Sequence, residues 1–376
     1  MAISFNDQLA TNRPIPAHNN AVVKFEETLG AEFADITIDG NTFRIFPDDS
    51  SNFRFNFKSV FSAIANPNKF RDDLTPSAIS NAQSWHNLDN SGFVSTSVNY
   101  KTFDAGVEVS NQNHTYKLIR QALQLEQYRK EDYIKSSDKI FILNPKETFA
   151  LNKGFPMCIS FYSSGSYALI LTNAKPGSTP MVVNVTEGIN RVFLSDGQTD
   201  VQAEGHLDLF EGQNKIEVSA DLGGGDERIT EIDIYFDSTP CEGVYLKWLN
   251  YFGGWSYALF NGSERSRRSR SNGFIVDDFE SLSNSEDIRQ EIGKDSQDFI
   301  EIAKYGLSKD QNKVINSLID SPKVYRFIDD SGSAYSLDNW LNQSIDSSSI
   351  LISRTDKQKF NVELEIQDLP RNTMSL

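Results

Sequence analysis

With 376 residues, 38% of them apolar, the chain exceeds one ordinary hydrophobic core, has material for two or three domains, and excludes wholesale disorder. A net charge of −16 repels phosphate backbones, which argues against nucleic-acid binding and favours basic partners and a subunit that stays in solution before assembly. Cys158 and Cys241 form no CxxC pair, which excludes a structural zinc centre and a disulfide scaffold; two reduced, buried thiols are the expectation, with a single disulfide between them as the alternative.

Met1-Ala2-Ile3-Ser4-Phe5 lacks the basic start and apolar run of a secretory signal. No apolar stretch approaches the roughly 20 residues of a membrane helix. The expectation is a chain that folds in a cytoplasm and has no membrane partner.

The first region, 1–144, reads as strands and hairpins. Phe33, Ile36 and Ile38 lead into Asp39-Gly40-Asn41, a hairpin signal, and Phe43 to Phe46 run back from it. Phe53, Phe55 and Phe57 alternate with polar residues, as do Val94, Thr96, Val98 and Tyr100 with theirs. A short helix is expected from Lys58 to about Phe70. A second is expected near 114–128, where Leu118, Ala122 and Leu125 fall at helical spacing.

The second region, 145–239, changes to short strands closed by Gly, Asn and Asp turns, the pattern of an all-β sandwich module. Strands are expected around Met157–Phe161, Tyr167–Leu171, Met181–Val185, Arg191–Leu194, Lys215–Val218 and Ile232–Phe236.

The third region, 240–376, opens with an aromatic hairpin from Val244 to Phe260, bent at Gly253-Gly254, with Trp248, Phe252 and Trp255 near the bend. So dense a run is costly to expose, so it belongs to a core or a subunit interface. Arg265, Arg267, Arg268 and Arg270 follow and read as a surface loop, with an acidic protein partner as the alternative. A helical pair is expected over 298–319: Phe299, Ile300 and Ala303 face one way in the first helix, and Ser308 caps the second. Near the C-terminus Phe360, Val362, Leu364 and Ile366 alternate with polar residues. They form a strand with one dry face, which must pair within the chain or with a neighbour. The fold class is therefore mainly β, with two or three sandwich-like domains and a few short helices.

Motifs for chemistry do not emerge. His18, His86, His114 and His206 are scattered, with no metal-ligand spacing. Gly223-Gly224-Gly225 precedes a strand without the Lys and Ser/Thr of a phosphate loop, and reads as a hairpin turn. Asp221, Asp226 and Asp233 lack the spacing of a calcium loop. No catalytic residue, cofactor or metal is expected.

Several segments carry a resemblance. Phe5-Asn6-Asp7 with Arg13-Pro14-Ile15-Pro16-Ala17-His18-Asn19-Asn20 resembles the start of virion proteins from tailed bacteriophages of Bacteroidota-type hosts. Tyr245-Leu246-Lys247-Trp248-Leu249-Asn250, through Gly253-Gly254-Trp255-Ser256-Tyr257 to Phe260-Asn261, is similar to a hairpin of the same group. So are Leu318 to Tyr325 and the Phe360 to Ile366 strand. The resemblance implies a tail-tip or baseplate protein forming a three- or six-fold ring with itself and with other phage structural proteins. It supplies no catalytic motif. The alternatives are another virion component (head, neck or fibre attachment), a carbohydrate-binding module or adhesin whose 145–239 region meets a glycan, and a glycan hydrolase.

Overall fold

The computed structural model describes residues 3–27, 30–72, 74, 85–145, 148–196, 207–239, 242–276, 289–328, 334–354 and 359–371. Strand accounts for 58% of it and helix for 9%, so the mainly-β, multi-sheet expectation holds. The chain divides into two compact units. The first comprises Met1–Ser238, Leu249–Ser256 and Ser333–Tyr335, and the second Thr239–Trp248, Tyr257–Gly332 and Ser336–Leu376.

In the first unit, a three-stranded sheet (Ile3–Asp7, Val22–Glu27, Asn52–Asn56) and a five-stranded one share a core. The five-stranded sheet takes Ile15–Pro16, Val107–Ile119, Phe93–Asp104, Phe33–Ile38 and Asn41–Ile45 in that spatial order. Alternate residues face inward: Val23 and Phe25 from one sheet, Ile36, Ile38, Val98, Tyr100, Tyr116 and Leu118 from the other. The helix Lys58–Ile64 closes this core with Phe61. The Asp39-Gly40 hairpin is present as read: Ile38 pairs with Asn41, and both turn residues have positive φ, 46° and 74°, as a two-residue type I′ loop requires.

The helix expected near 114–128 is not there. Residues 114–119 belong to the strand Val107–Ile119, and helix is confined to Leu125–Arg129. The overlooked signal is Ala105-Gly106, a second two-residue hairpin loop with φ of 47° and 78°, which sends the chain back along Phe93–Asp104. Once the strand is paired, Tyr116 and Leu118 point into the core at a period of two, while Leu125 is left exposed.

A further pair of sheets completes this unit. All six strands expected in the second region are present: Pro156–Ser163, Tyr167–Asn173, Met181–Val185, Gly188–Asp196, Gly212–Asp221 and Asp226–Asp237. Three more strands join them. Thr148–Asn152 lies parallel to Asp226–Asp237, Ile140–Ile142 pairs with Pro156–Ser163, and His86–Asp89 pairs with Gly188–Asp196. Two strands from the first region thus belong to a sheet of the second.

The second unit is a closed barrel of six strands: Val244–Leu249, Trp255–Val276, Arg289–Leu307, Phe360–Arg371, Trp340–Arg354 and Val324–Phe327. The first expected helix of the pair, over 298–303, is strand. Ile300 and Ile302 point into the barrel core at a period of two, and pairing on both sides overrides the helical spacing. The second helix is Lys309–Ile319, capped by Ser308 as read: its Oγ accepts from the Gln311 backbone N–H at 3.1 Å, and Gln311 Oε1 accepts from the Ser308 N–H. Val314, Ile315 and Leu318 of this helix enter the barrel core, so the barrel is filled rather than hollow.

Candidate functional site

The aromatic hairpin is divided between two cores. Trp248 is 0% exposed in the barrel core, and its indole N–H donates to Ser317 Oγ at 2.9 Å. Phe252 and Trp255 lie in the first unit at 2% and 1% exposure. Phe252 packs with Ile119, Leu143 and Tyr162, and the Trp255 carbonyl accepts from Asn144 Nδ2 at 2.8 Å. Asn250 builds the bend. Its Oδ1 accepts from the N–H groups of Phe252 and Gly254, and its Nδ2 donates to Ser256 Oγ. Both glycines are required by close backbone approach, because a Cβ would lie 2.0 Å from the Arg120 carbonyl oxygen at Gly253 and 2.5 Å from that of Leu143 at Gly254.

The C-terminal strand is also internal. Val362, Leu364 and Ile366 are buried in the barrel core with Phe360 half-buried against it. Both edges are paired, one with Arg289–Leu307 and the other with Trp340–Arg354. Strand addition to a neighbour is therefore not open to it, and deleting it removes a barrel stave.

Arg265, Arg267, Arg268 and Arg270 do not form a loop. They sit within the strand Trp255–Val276, opposite Ile300, Asp298, Gln297 and Asp295 of Arg289–Leu307. Arg267 Nε donates to Asp298 at 2.7 Å. Arg268 donates to Glu365 at 2.6 Å and lies 4.5 Å from the centre of the Phe299 ring. Serine between the arginines hid the strand from a pattern reading, which weighs apolar alternation.

Among the described residues, no group of three or more His, Cys, Asp or Glu is placed to hold a metal ion. Cys158 is buried, and Arg191 Nε donates to its Sγ at 3.3 Å. Cys241 and His206 lie outside the described residues. An open cleft of about 230 Å³ is lined by Glu131, Asp132, Tyr133, Lys135, Asp138 and Phe141 among others. It is small for a ligand site, which typically takes about 300–1,000 Å³. The Lys135 ammonium holds Glu131 below the usual carboxylate range, opposite to the shift a glycosidase acid needs.

Burial lowers the pKa of His18, His86 and His114; Arg120 and Lys58 add to the effect at His18, while the hydrogen bond to Asn190 opposes it at His86. The folded protein thus holds these imidazoles neutral, whereas the unfolded chain takes up protons below about pH 6.5. Their contribution to stability is complete above that pH and is lost as pH falls through the lowered folded values. Thermal melts are therefore expected to show a falling melting temperature between about pH 7 and pH 5. A flat profile there would mean the histidines are accessible in the fold.

No protein-family model matches the chain, and no curated protein does. Solved structures similar to it include a chimeric titin Z1Z2-Z1Z2 tandem, at 8% identity over 59% of this chain and 92% of that one, with a TM-score of 0.17. Tandem Ig repeats of Dlar stand at 7% identity over 59% and 91%, with a TM-score of 0.16. A Ca2+-stabilized adhesin that helps an Antarctic bacterium bind ice stands at 8% over 93% of each chain, with a TM-score of 0.18. Scores this low carry no argument about arrangement or function.

Proposed function

We propose that this chain is a non-enzymatic structural subunit of a tailed-phage virion, placed at the tail tip or baseplate, where it forms a ring with copies of itself and neighbouring tail proteins. The observation that carries the reading is the closing of the framework on itself. The dense aromatic run and the last strand are spent on cores, leaving self-contained β units of the kind a scaffold subunit needs. The resemblance of the opening segment, the hairpin and the C-terminal strand to phage virion proteins supports the same reading.

Light scattering over a range of concentrations, with electron microscopy of the same samples, tests it. Closed rings of three or six copies are expected. A monomer at every concentration counts against the ring.

A second reading rests on Tyr235. Its ring is half-exposed on the open face of the five-stranded sheet of region 145–239, paired across the strands with Gln213 and flanked by Asp233 on the same face. An exposed ring beside an amide and a carboxylate suits stacking against a sugar. A glycan array, with Tyr235→Ala as the control, tests it.

A further inference from the structure

The five-stranded sheet of the first unit has an outer face whose rows follow from its register. Thr42, Thr37, Asn99 and Asn113 stand opposite one another across four strands. Arg44, Asp35, Lys101 and Asn111 form the next row, and Ser97 faces Thr115 on the other side of the first. The residues between them, Ile36, Val98, Tyr100 and Tyr116, fill the core, so this polar face is the outer half of a strict alternation. With strands about 4.8 Å apart and rows about 7 Å apart, the patch measures on the order of 14 Å by 14 Å.

Its polar side chains hold one another in place. Asn99 Nδ2 donates to the Oδ1 atoms of Asn111 and Asn113, both at 2.7 Å. The hydroxyls of Thr37 and Thr42 share a hydrogen bond at 2.9 Å, and those of Ser97 and Thr115 one at 3.2 Å. Thr42, Asn111, Asn113 and Thr115 nonetheless stay exposed, and groups already fixed cost little to order when a ligand arrives. One end of the face is aromatic. Phe33 stacks on Phe103 at 4.9 Å, and Phe46, 6.4 Å from Phe33, is 68% exposed.

Charge and composition select the ligand. Arg44 pairs with Asp35, Lys101 with Glu108 and Lys117 with Glu187, so the charges on this face cancel in a chain of −16. A neutral face offers an ionic partner no net attraction. Nor does it offer the apolar centre of a protein interface, because Ser, Thr and Asn occupy the middle and the rings stand at one end. Fixed amides and hydroxyls beside an exposed ring suit an uncharged sugar polymer. Its hydroxyls exchange hydrogen bonds with the amides, and its C–H faces stack on the ring.

We propose that this face binds an uncharged polysaccharide, held by the amides of Asn99 and Asn113 and stacked at one end on Phe46. The site is independent of the ring reading, and it lies on a different sheet from Tyr235.

The test measures binding of the full chain to glucan, mannan and xylan oligosaccharides of increasing length, with uronate oligosaccharides as acidic counterparts. Wild-type protein is compared with Asn99→Ala/Asn113→Ala, Phe46→Ser and Tyr235→Ala. These side chains lie on the outer faces of their sheets, so melting temperatures by circular dichroism are expected to match the wild type. Phe46→Ser carries the test by itself if the asparagine variant melts lower. The wild type is expected to bind an uncharged chain with an affinity that about 0.5 M NaCl leaves unchanged. The asparagine variant and Phe46→Ser are each expected to weaken that binding about tenfold, and Tyr235→Ala to leave it as it is.

Binding retained in both face variants would overturn the site, and binding lost in Tyr235→Ala alone would overturn it and place the glycan on the other sheet. Preference for the uronates, or binding abolished by salt, would overturn the uncharged ligand. Face variants that lower the oligomer mass without changing glycan binding would show an interface between copies in its place. A wild type that binds none of these oligosaccharides overturns the proposal and leaves the ring reading standing, since light scattering tests that separately.

Discussion

Asp72→Ala is expected to destabilise the first unit by about 3–5 kcal/mol, measured by urea unfolding followed through tryptophan fluorescence. Asp72 and Arg191 form a two-pronged ion pair, Nη1 to Oδ1 at 2.6 Å and Nη2 to Oδ2 at 3.3 Å, with side chains 3% and 1% exposed. In such a setting the attraction between the partners offsets the cost of taking both out of water. Removing one leaves the other charged, buried and without its main counter-charge. Trp255, whose ring lies 6.0 Å from the Arg191 guanidinium, supplies a local fluorescent reporter. The double variant Asp72→Ala/Arg191→Leu removes both charges and is expected to recover much of the loss. A single variant within about 1 kcal/mol of wild type would show that the guanidinium is satisfied by its other neighbours.

Trp248→Ala is expected to cost the barrel about 3–5 kcal/mol, the range for truncating a large aromatic side chain in a packed core. The indole is fully buried with Leu246, Phe260, Ile302 and Leu318, and its loss also leaves Ser317 Oγ without its donor. Trp248→Phe keeps most of the volume and is expected to cost less than half as much. Hydrogen exchange of the barrel strands checks both variants. Protection in Trp248→Ala equal to the wild type would mean that the barrel does not depend on this side chain.

Much of the fold was legible in the sequence, for reasons visible at particular residues. Asp39-Gly40 declares its own turn because those residues tolerate positive φ. The six strands of region 145–239 announce themselves through β-branched runs closed by Gly and Asn. Ser308 and Gln311 specify a helix start locally, since each satisfies the other's backbone N–H. The errors fall where short-range spacing was ambiguous. Leu118, Ala122 and Leu125 fit a helix face, and Phe299, Ile300 and Ala303 fit another, yet strand partners far along the chain claimed both segments.

The candidate site was less legible. The aromatic run had to be buried, and burial follows from the residues themselves, because the cost of exposing such rings does not depend on what covers them. That Trp248 would enter the barrel core while Phe252 and Trp255 are buried in the first unit depends on which elements surround each, and no local pattern records it. Likewise the dry face of Phe360–Arg371 was evident, but not that both its edges close a barrel.

By itself, then, the sequence determined the β class, the tight turns, the capped helix and the need to hide its aromatic residues, because these follow from interactions between near neighbours. Tertiary structure alone decided that Arg265 to Arg270 form a ribbon rather than a loop, that Asp72 meets Arg191 across 119 positions, and that the last strand seals a barrel. Those outcomes rest on pairings between distant segments, where closing a long loop is repaid only by the whole set of contacts that it brings together.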